Sequence, residues 1–308
     1  MIFQETRDYC KKLGLPEGDV WDMPSSTLRF PDGASFRIEI PTVNTADAVA
    51  ALLDTATKNG TTINRVTETY GMFRHTRDEI KQFVKNCADY GAELMMSVGP
   101  RATYDTGATV LSEQGVRISY RLRGMEQLVR AVEDVKRGYD LGVRGFLIYD
   151  EGMLWLIGQM RKDGALPSDI IFKTSAHLGQ CNPAAFKLLE SLGADSLNPV
   201  RDLQIPMIAA LRAAIKTPLD VHTDNPPGSG GFIRVYEAPE IVRVAAPVHC
   251  KTGNSVVSGH GQLTSASDGR KMADQATIVV EMVNKYLPDA KQTERFNSDL
   301  HLPVVKDL

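Results

Sequence analysis

Short apolar runs alternate with longer amphipathic stretches along most of the chain. Eight of the runs lack the strict apolar–polar alternation of a half-exposed strand, and this pattern predicts strands buried on both faces. The predicted strands cover residues 36–40, 63–66, 93–98, 145–149, 170–173, 196–198, 219–222 and 247–251. Helical patterns are predicted over residues 45–58, 76–90, 125–141, 152–163, 183–192, 205–215, 237–244 and 267–286.

The ends of these helical patterns carry start and stop signals. Thr45 is placed to cap the first of them, and Gly91, Gly142 and Gly193 follow helical patterns and lead directly into predicted strands. Eight strands in strict alternation with eight helices predict an α/β fold of the (β/α)₈ TIM-barrel type. An open doubly wound sheet is the alternative. No GxGxxG motif follows the first strand, which weakens the dinucleotide-binding version of that alternative.

The first 34 residues have a different pattern. They contain Pro16, Pro24 and Pro31, little periodicity and one short amphipathic stretch. We expect residues 1–34 to form a short helix and a capping segment that covers one end of the barrel, because prolines at these intervals interrupt regular structure. Residues 35–308 are then the barrel domain.

Composition and charge exclude several classes of protein. The 308 residues are 43% hydrophobic and 24% charged, which is ordinary for a globular protein and excludes a disordered chain. The formal net charge is −3 without a basic stripe, so no nucleic-acid partner is expected. No apolar run approaches the ~20 residues that span a bilayer, so no membrane partner is expected. The four cysteines are scattered without a CxxC pair, which indicates reduced thiols and a cytoplasmic protein.

Many polar residues lie where the predicted strands end, and barrel enzymes carry their catalytic groups at the carboxyl ends of the strands. Lys173 lies within an apolar strand, where burial would lower its pKa and suit it as a Schiff-base nucleophile or general base. His177 and His222 lie at strand ends and are candidate proton carriers. Glu39 is the fourth candidate catalytic residue, since it would tune Lys173 or hold a metal ion.

Basic residues near the strand ends predict an anionic substrate. The candidates for binding its carboxylate or phosphate groups are Arg65, Arg101, Arg201 and Lys251. Ser229 and Gly230 belong to a Gly-rich loop after the seventh strand, and backbone amides of such a loop are able to cradle an anion. A flexible connection is the other interpretation of that loop.

Three acidic residues are candidate ligands of a divalent metal ion. Mg²⁺ and Mn²⁺ favour oxygen ligands and Zn²⁺ accepts them, but ligands on separate strands have no diagnostic spacing. The candidates are Glu68, Asp150 and Asp224. In the structural alternative, acidic side chains form an interior ion network: Glu39 and Glu68 pair with Arg65, Arg101 or Lys173. The sequence contains no Walker A motif and no other nucleotide cofactor motif.

Four motifs in the middle of the chain fall in register with those of a known family. They are residues 173–182 (KTSAHLGQCN), Leu192-Gly193-Ala194, Arg201-Asp202-Leu203 and Val221-His222. Over roughly residues 138–223 the chain therefore resembles the collagenase-like peptidase family, whose catalytic type is unassigned. The resemblance implies a TIM-like barrel and a peptidase activity.

Two motif positions of this chain differ from the family pattern. His177 stands where the family has Gln, and Thr223 stands where it has Gly. The cysteine-rich segment that holds an iron–sulfur cluster in some members is absent here. We therefore expect a divergent relative without an iron–sulfur cluster.

Together these features predict an enzyme with a barrel fold that acts on a small anionic metabolite. Its expected chemistry is that of a lyase, an aldolase-like enzyme or an isomerase, with Lys173 or a divalent metal ion stabilising a carbanion. A metal-assisted hydrolase or peptidase, which the family resemblance implies, is the alternative. A barrel subunit without catalytic activity is the third hypothesis. Self-association into a homo-oligomer is also predicted, since most soluble oligomers are assemblies of identical chains.

Overall fold

Seven parallel strands form a curled sheet at the centre of the computed structural model, which describes residues 2–101 and 120–306. The strands are β1 Phe36–Pro41, β2 Arg65–Thr67, β3 Glu93–Ser97, β4 Gly145–Ile148, β5 Ile171–Thr174, β6 Leu219–His222 and β7 Val248–Lys251. Their order across the sheet is β5-β4-β3-β2-β1-β7-β6, so the first and last of these strands are neighbours. Every residue of the seven strands is buried, as the sequence pattern predicts.

Helices cover the sheet, and their bounds follow the predicted helical patterns closely. They are α1 Gln4–Lys12, α2 Ala46–Lys58, α3 Arg77–Tyr90, α4 Gly124–Asp140, α5 Glu151–Lys162, α6 Pro183–Ser191, α7 Ile205–Ala214, α8 Ala238–Ala245 and α9 Ala266–Tyr286. Thr45 caps α2 by accepting a hydrogen bond from the Ala48 amide at 3.1 Å. Gly91 ends α3 at φ 87°, a backbone conformation that glycine adopts without strain. None of the helices in the two described ranges is long and apolar enough to cross a membrane.

The prediction of an eighth strand over residues 196–198 is not confirmed. Ser196 and Leu197 make only isolated parallel bridges, to Lys173 of β5 and Leu219 of β6 respectively. The side-chain amide of Asn198, which follows them, donates to the Asp220 carbonyl of β6 in place of a backbone amide. The next residue, Pro199, has no amide hydrogen to donate. The described sheet therefore has seven strands, and a two-residue segment bridges its two edge strands.

The segment that precedes β1 lies against the amino ends of the strands. The Ser26 amide donates to the Arg243 carbonyl at 2.8 Å, near the end of α8. The Phe30 ring is buried 5.2 Å from the His249 ring of β7, and the Arg37 guanidinium of β1 lies 4.0 Å from the centre of the Phe30 ring. The carboxyl ends of the strands are thus left to the loops that follow them.

Side chains of β1 divide between the helix layer and the interior of the sheet. Phe36, Ile38 and Ile40 belong to the apolar core between sheet and helices. Arg37 and Glu39 alternate with them and join charged groups from other strands on the concave side. The interior of the curled sheet is therefore polar, whereas the layer beneath the helices is apolar.

Candidate functional site

A buried ion network fills the interior of the sheet. Lys173 of β5, Glu39 of β1 and Asp220 of β6 are all fully buried. The Lys173 Nζ atom forms ion pairs with Glu39 and, at 3.1 Å, with the Asp220 Oδ2 atom. Two carboxylates from other strands thus bind Lys173. This arrangement is the interior ion network predicted as the structural alternative to a catalytic role.

Arg65 of β2 also belongs to this network. Its Nε atom lies 2.7 Å from the Glu93 Oε2 atom, and its Nη1 atom lies 3.5 Å from the Asp220 Oδ1 atom. Burial alone would lower the pKa of Arg65, but Glu93 and Asp220 raise that pKa above its usual value. The structure therefore places Arg65, a predicted substrate-binding residue, among fixed carboxylates.

Lys251 of β7 lies at the boundary between the ion network and a cavity. Its Nζ atom donates to the Asn198 Oδ1 atom at 2.7 Å and lies 3.3 Å from the Glu39 Oε1 atom. The Asn198 amide is itself oriented by donating to the Asp220 carbonyl at 2.6 Å. Burial lowers the pKa of Lys251 to about 7 against the opposing effect of Glu39, and nearby Lys173 lowers it further. A large fraction of this amine is therefore neutral near pH 7.

The cavity beside Lys251 is small and lies at the carboxyl ends of the strands. Its volume is about 10 Å³, which is roughly the space of one water molecule. It is lined by Pro41, Thr42, Thr69, Leu147, Ser175, Ala176, Asn198, Arg201, His222, Lys251, Asn254 and His260. We call it the inner cavity. It has cationic and imidazole groups in its lining but no carboxylate.

A larger cavity adjoins the inner cavity and shares Ala176 and Arg201 with it. The volume of this outer cavity is about 300 Å³. Its lining includes Ser229 and Gly230, the two loop residues predicted to bind substrate, together with Asn225. The structure thus brings the predicted Gly-rich loop next to Arg201.

Three imidazoles meet at this end of the sheet. His222 is buried, and neither of its ring nitrogens has a hydrogen-bond partner among the residues that the structure describes. Burial, and then the charges of Lys251 and Arg201, keep the pKa of His222 well below its usual value. The His177 Nε2 atom accepts a hydrogen bond from Arg201 at 3.1 Å, and burial and Arg201 lower the pKa of His177 to about 3. The third ring, His260, lies 4.4 Å from the His177 ring.

These imidazoles are neutral near pH 7, so each ring has one nitrogen that is able to accept a hydrogen bond. The pKa of His260 is also well below its usual value because of burial, with His177 and Arg201 adding to the effect. Tyr120 stacks on His177 at 4.4 Å between ring centroids, which extends the ring cluster to one side. Sequence reasoning placed His177 and His222 at this end correctly.

Arg101 is buried beside the stacked rings of Tyr149 and Tyr120. Its guanidinium lies 4.3 Å from the centre of the Tyr149 ring, and its Nη1 atom donates to the Thr69 carbonyl at 3.3 Å. Thr69 also lines the inner cavity. Arg101 therefore contributes positive potential near the cavity, although it is not among the lining residues.

The three predicted metal ligands have separate structural partners. Glu68 accepts a hydrogen bond from the Ser97 hydroxyl at 2.9 Å, and Asp150 caps α5 through the Met153 amide at 2.9 Å. Asp224 accepts hydrogen bonds from the backbone amides that follow β7, including that of Asn254 at 3.1 Å. In the described part of the chain no group of three His, Cys, Asp or Glu residues is arranged to hold a metal ion. The predicted ligand set is therefore not assembled into one site.

One important residue of this region, Asp220, was missed in the sequence. It occupies the apolar run Leu219-Asp220-Val221, so it carries the same signal of a charge inside a strand that singled out Lys173. Asn198, at the end of the sixth predicted strand, could be named from its position in the sequence, but its contact with the Lys251 amine could not.

Comparisons with known proteins support the fold. No protein-family model matches the chain, and none of the curated proteins matches it. A Rubisco-like protein from Rhodopseudomonas palustris is similar with 9% identity, over 87% of this chain and 71% of that chain, at a TM-score of 0.50. A candidate fructose-1,6-biphosphate aldolase from Coccidioides immitis has 14% identity over 83% of this chain and 91% of its own, at a TM-score of 0.49.

A U32 peptidase is a further structural neighbour. It has 15% identity over 66% of this chain and 74% of its own, at a TM-score of 0.41. A likeness this weak does not show membership of the collagenase-like peptidase family. The chain has a parallel α/β fold that is similar to a TIM barrel.

Proposed function

We propose that this protein is an enzyme that acts on a small carboxylate or phosphate compound by lyase, aldolase-like or isomerase chemistry, with Lys251 as its reactive amine. The observation that carries the proposal is the position of Lys251. A buried amine with a pKa of about 7 lines a cavity whose other charged or basic groups are an arginine and imidazoles. A neutral amine is the form that attacks a carbonyl carbon.

In the proposed reaction, the Lys251 amine adds to the substrate carbonyl to give a carbinolamine. The carbinolamine takes up a proton from solvent and loses water, which leaves a protonated Schiff base. Glu39, 3.3 Å from the Lys251 Nζ atom, stabilises the positive charge of that Schiff base. The carbon next to the C=N bond then loses a proton or a carbon substituent, and the electron pair moves to the nitrogen. Neutral His222, in the same cavity, accepts or returns the proton.

Lys173 has a positioning role in this proposal. It shares the Glu39 carboxylate with Lys251 and is itself absent from the cavity lining. The positive charge of Lys173 lowers the pKa of Lys251 and so favours the reactive neutral amine. The nucleophile predicted at Lys173 is therefore proposed at Lys251 instead.

The two cavities divide the substrate between them. The inner cavity holds about one water molecule, so only the carbonyl group reaches Lys251. The rest of the substrate occupies the outer cavity. Arg201, which lines both, binds its anionic group, and the backbone of Ser229 and Gly230 adds hydrogen-bond donors.

Borohydride trapping tests the proposal. The protein is incubated with pyruvate or dihydroxyacetone phosphate, reduced with borohydride and digested, and the modified lysine is located by mass spectrometry. We expect a reduced adduct at Lys251 that is lost in Lys251→Met and kept in Lys58→Met, an exposed lysine. Adducts confined to exposed lysines with every carbonyl probe would overturn the assignment.

The metal-assisted hydrolase stays the alternative prediction. To test it, hydrolysis of ester or peptide probes is measured on the same protein preparation. A hydrolase would require added Mn²⁺ or Zn²⁺ and would keep its activity in Lys251→Met. That result would contradict an amine mechanism, since Lys251 would then be dispensable.

A further inference from the structure

A second large cavity lies at the opposite end of the sheet, where the strands begin. Its volume is about 330 Å³, comparable to that of the outer cavity. Side chains of β1, β2, β3 and β7 reach it: Arg37, Arg65, Glu93 and His249. No residue of the inner or outer cavity lines it. A ligand there would therefore be separate from the proposed substrate.

The Arg37 side chain in this cavity is only partly neutralised. It is 4% exposed, and its Nε atom donates to the Thr293 Oγ1 atom at 3.0 Å. Its Nη1 atom lies 3.8 Å from the Glu93 Oε1 atom, near the outer limit of an ion pair. Its Nη2 atom has no hydrogen-bond partner in the described ranges. One half of the guanidinium fork is thus buried without an acceptor, which is costly for a charged group.

Three carboxylates line the cavity, and two of them are already engaged by other groups. Glu93 is bound by Arg65 at 2.7 Å and accepts a hydrogen bond from the His301 amide at 3.0 Å. Asp195 pairs with Arg161 at 2.6 Å, and Asp299 is the third carboxylate. Burial lowers the pKa of Arg37, and the opposing charges of Glu93, Asp32 and Asp299 do not offset that effect.

His249 is the neighbour of Arg37 across the sheet. The two residues are register partners in β7 and β1, so their side chains lie on the same face. The His249 Nδ1 atom lies 2.8 Å from the Asp220 Oδ1 atom, although outside hydrogen-bond geometry. A carboxylate at this distance favours the tautomer with its proton on Nδ1, which leaves Nε2 as an acceptor. Burial lowers the pKa of His249 to about 4, so the ring stays neutral. The Nε2 atom has no partner among the described residues.

We propose that this amino-end cavity binds a hydrogen phosphate group, either as inorganic phosphate or on a small phosphomonoester. The unpartnered Arg37 Nη2 atom supplies a cationic donor, and the unpartnered His249 Nε2 atom accepts from a protonated ligand oxygen. An oxyanion that carries an O–H group satisfies both atoms at once. Sulfate has the same shape but no O–H at neutral pH, so it satisfies only Arg37.

Calorimetric titration with inorganic phosphate at pH 7 and constant ionic strength tests this site. The titrations use the Arg201→Gln variant, because Arg201 lies in the proposed substrate site and its removal suppresses anion binding there. We expect one phosphate per chain, and a loss of at least about tenfold in affinity when Arg37→Gln is added. We expect sulfate to bind at least about tenfold more weakly than phosphate. Glycerol phosphate in place of phosphate shows whether the cavity also accepts a monoester.

A second measurement keeps the test valid if Arg37→Gln impairs folding. The His249 ring is followed by NMR in the otherwise unchanged chain, with His249→Asn to assign its signal. Phosphate should shift the His249 ring signal, whereas sulfate should leave it largely in place. An unaltered His249 signal at saturating phosphate, or undiminished phosphate affinity in folded Arg37→Gln, overturns the proposal. Equal affinity for sulfate and phosphate overturns the role given to His249. Because this cavity shares no lining residue with the inner or outer cavity, neither failure decides the outcome of the borohydride experiment.

Discussion

The interior of the sheet and the inner cavity above it use the same kinds of residue in opposite ways. In the interior, Lys173 and Arg65 each lie against fixed carboxylates from other strands. In the inner cavity, Arg201 and the imidazole of His222 have no carboxylate beside them in the lining. A buried cation with its own carboxylate holds strands together, whereas one without a carboxylate needs a ligand to supply the missing charge.

The same difference separates two lysines that pair with one carboxylate, that of Glu39. Glu39 binds Lys173 through one oxygen and Lys251 through the other. Lys173 has Asp220 as a second carboxylate, while Lys251 has the neutral amide of Asn198. Lys173 therefore has two carboxylate partners, whereas Lys251 has one and a pKa of about 7. The predictions that follow test this separation, from the largest expected effect to the smallest.

Removal of Glu39 should have the largest effect on stability. In Glu39→Gln, Lys173 and Lys251 lose the carboxylate that they share, and the buried cations Lys173 and Arg65 then outnumber the carboxylates that remain around Lys173. We expect the free energy of unfolding to fall by about 3–5 kcal/mol, measured by urea denaturation. Burial alone would raise the pKa of Glu39, but the two lysines lower it to about 2, so the carboxylate is ionised at all pH values suitable for the measurement.

A Glu39→Gln variant within 1 kcal/mol of the unaltered protein would contradict the account of the interior. Asp54→Asn, which removes the carboxylate of an exposed ion pair, is the matched control for the loss of one negative charge. The difference between the two variants isolates the effect of burial.

Lys251 should give the stability of the protein a pH dependence that Lys251→Met removes. The pKa of Lys251 is about 7 in the folded protein and 10.5 as a free side chain. Between these values the unfolded chain binds a proton that the folded protein does not, so stability rises with pH across this window. The slope reaches at most about 1.4 kcal/mol per pH unit for one group.

Chemical denaturation from pH 7 to pH 10 checks this slope, as the difference between the unaltered protein and Lys251→Met. Taking the difference cancels the titration of tyrosines and cysteines. If the stability of the two proteins changes with pH in the same way, Lys251 is a charged structural lysine like Lys173. The distinction between the two lysines would then be wrong.

Arg201→Gln should separate binding from stability. Burial lowers the pKa of Arg201, and its Nε atom has no partner within the described ranges, so the guanidinium contributes little to the fold. We expect stability to change by less than about 1 kcal/mol, while affinity for pyruvate falls about tenfold. Calorimetry and urea denaturation measure the two quantities on one preparation. A strongly destabilised Arg201→Gln would instead place Arg201 with Arg65 as a structural residue.

The exposed ion pair between Lys58 and Asp54 on α2 should have the smallest effect. The two side chains are mostly exposed and pair at 2.6 Å. Lys58→Ala should change stability by less than about 0.5 kcal/mol, because solvent screens such pairs and fixing them costs side-chain entropy. A larger loss in thermal unfolding would mean that burial is not what separates strong from weak ion pairs in this protein.

Most of the sheet could be predicted from the sequence, and the exception has a local cause. Seven predicted strands correspond to observed strands, because each is a short apolar run bounded by turn or helix signals. The run over residues 196–198, Ser-Leu-Asn, has a single apolar residue, and Pro199 follows it and cannot donate to a neighbouring strand. A run of three residues beside a proline is too short for the sequence pattern to distinguish a strand from a loop.

The chemistry of the site was less accessible. The sequence indicates that Lys173 is buried, which is confirmed, but it does not tell which lysine faces a cavity. That depends on strand register, which brings Lys251 beside Glu39. Asp224 likewise has a structural role that depends on a loop more than 25 residues away along the chain. It accepts hydrogen bonds from the backbone amides of that loop. Cytoplasmic location and homo-oligomer formation stay predictions.

The position of Glu39 has a consequence for how the chain assembles. Its partners are Thr67, 28 residues along the chain, Lys173, 134 residues along, and Lys251 in the last strand. A partly formed sheet would bury Glu39 before these groups arrive, at the cost of an uncompensated charge. Partial sheets are therefore poor resting points, and folding should be slow and all-or-none, governed by contacts between remote parts of the chain. Fragments cut between β5 and β6 should accordingly fail to fold alone and recover structure only when mixed.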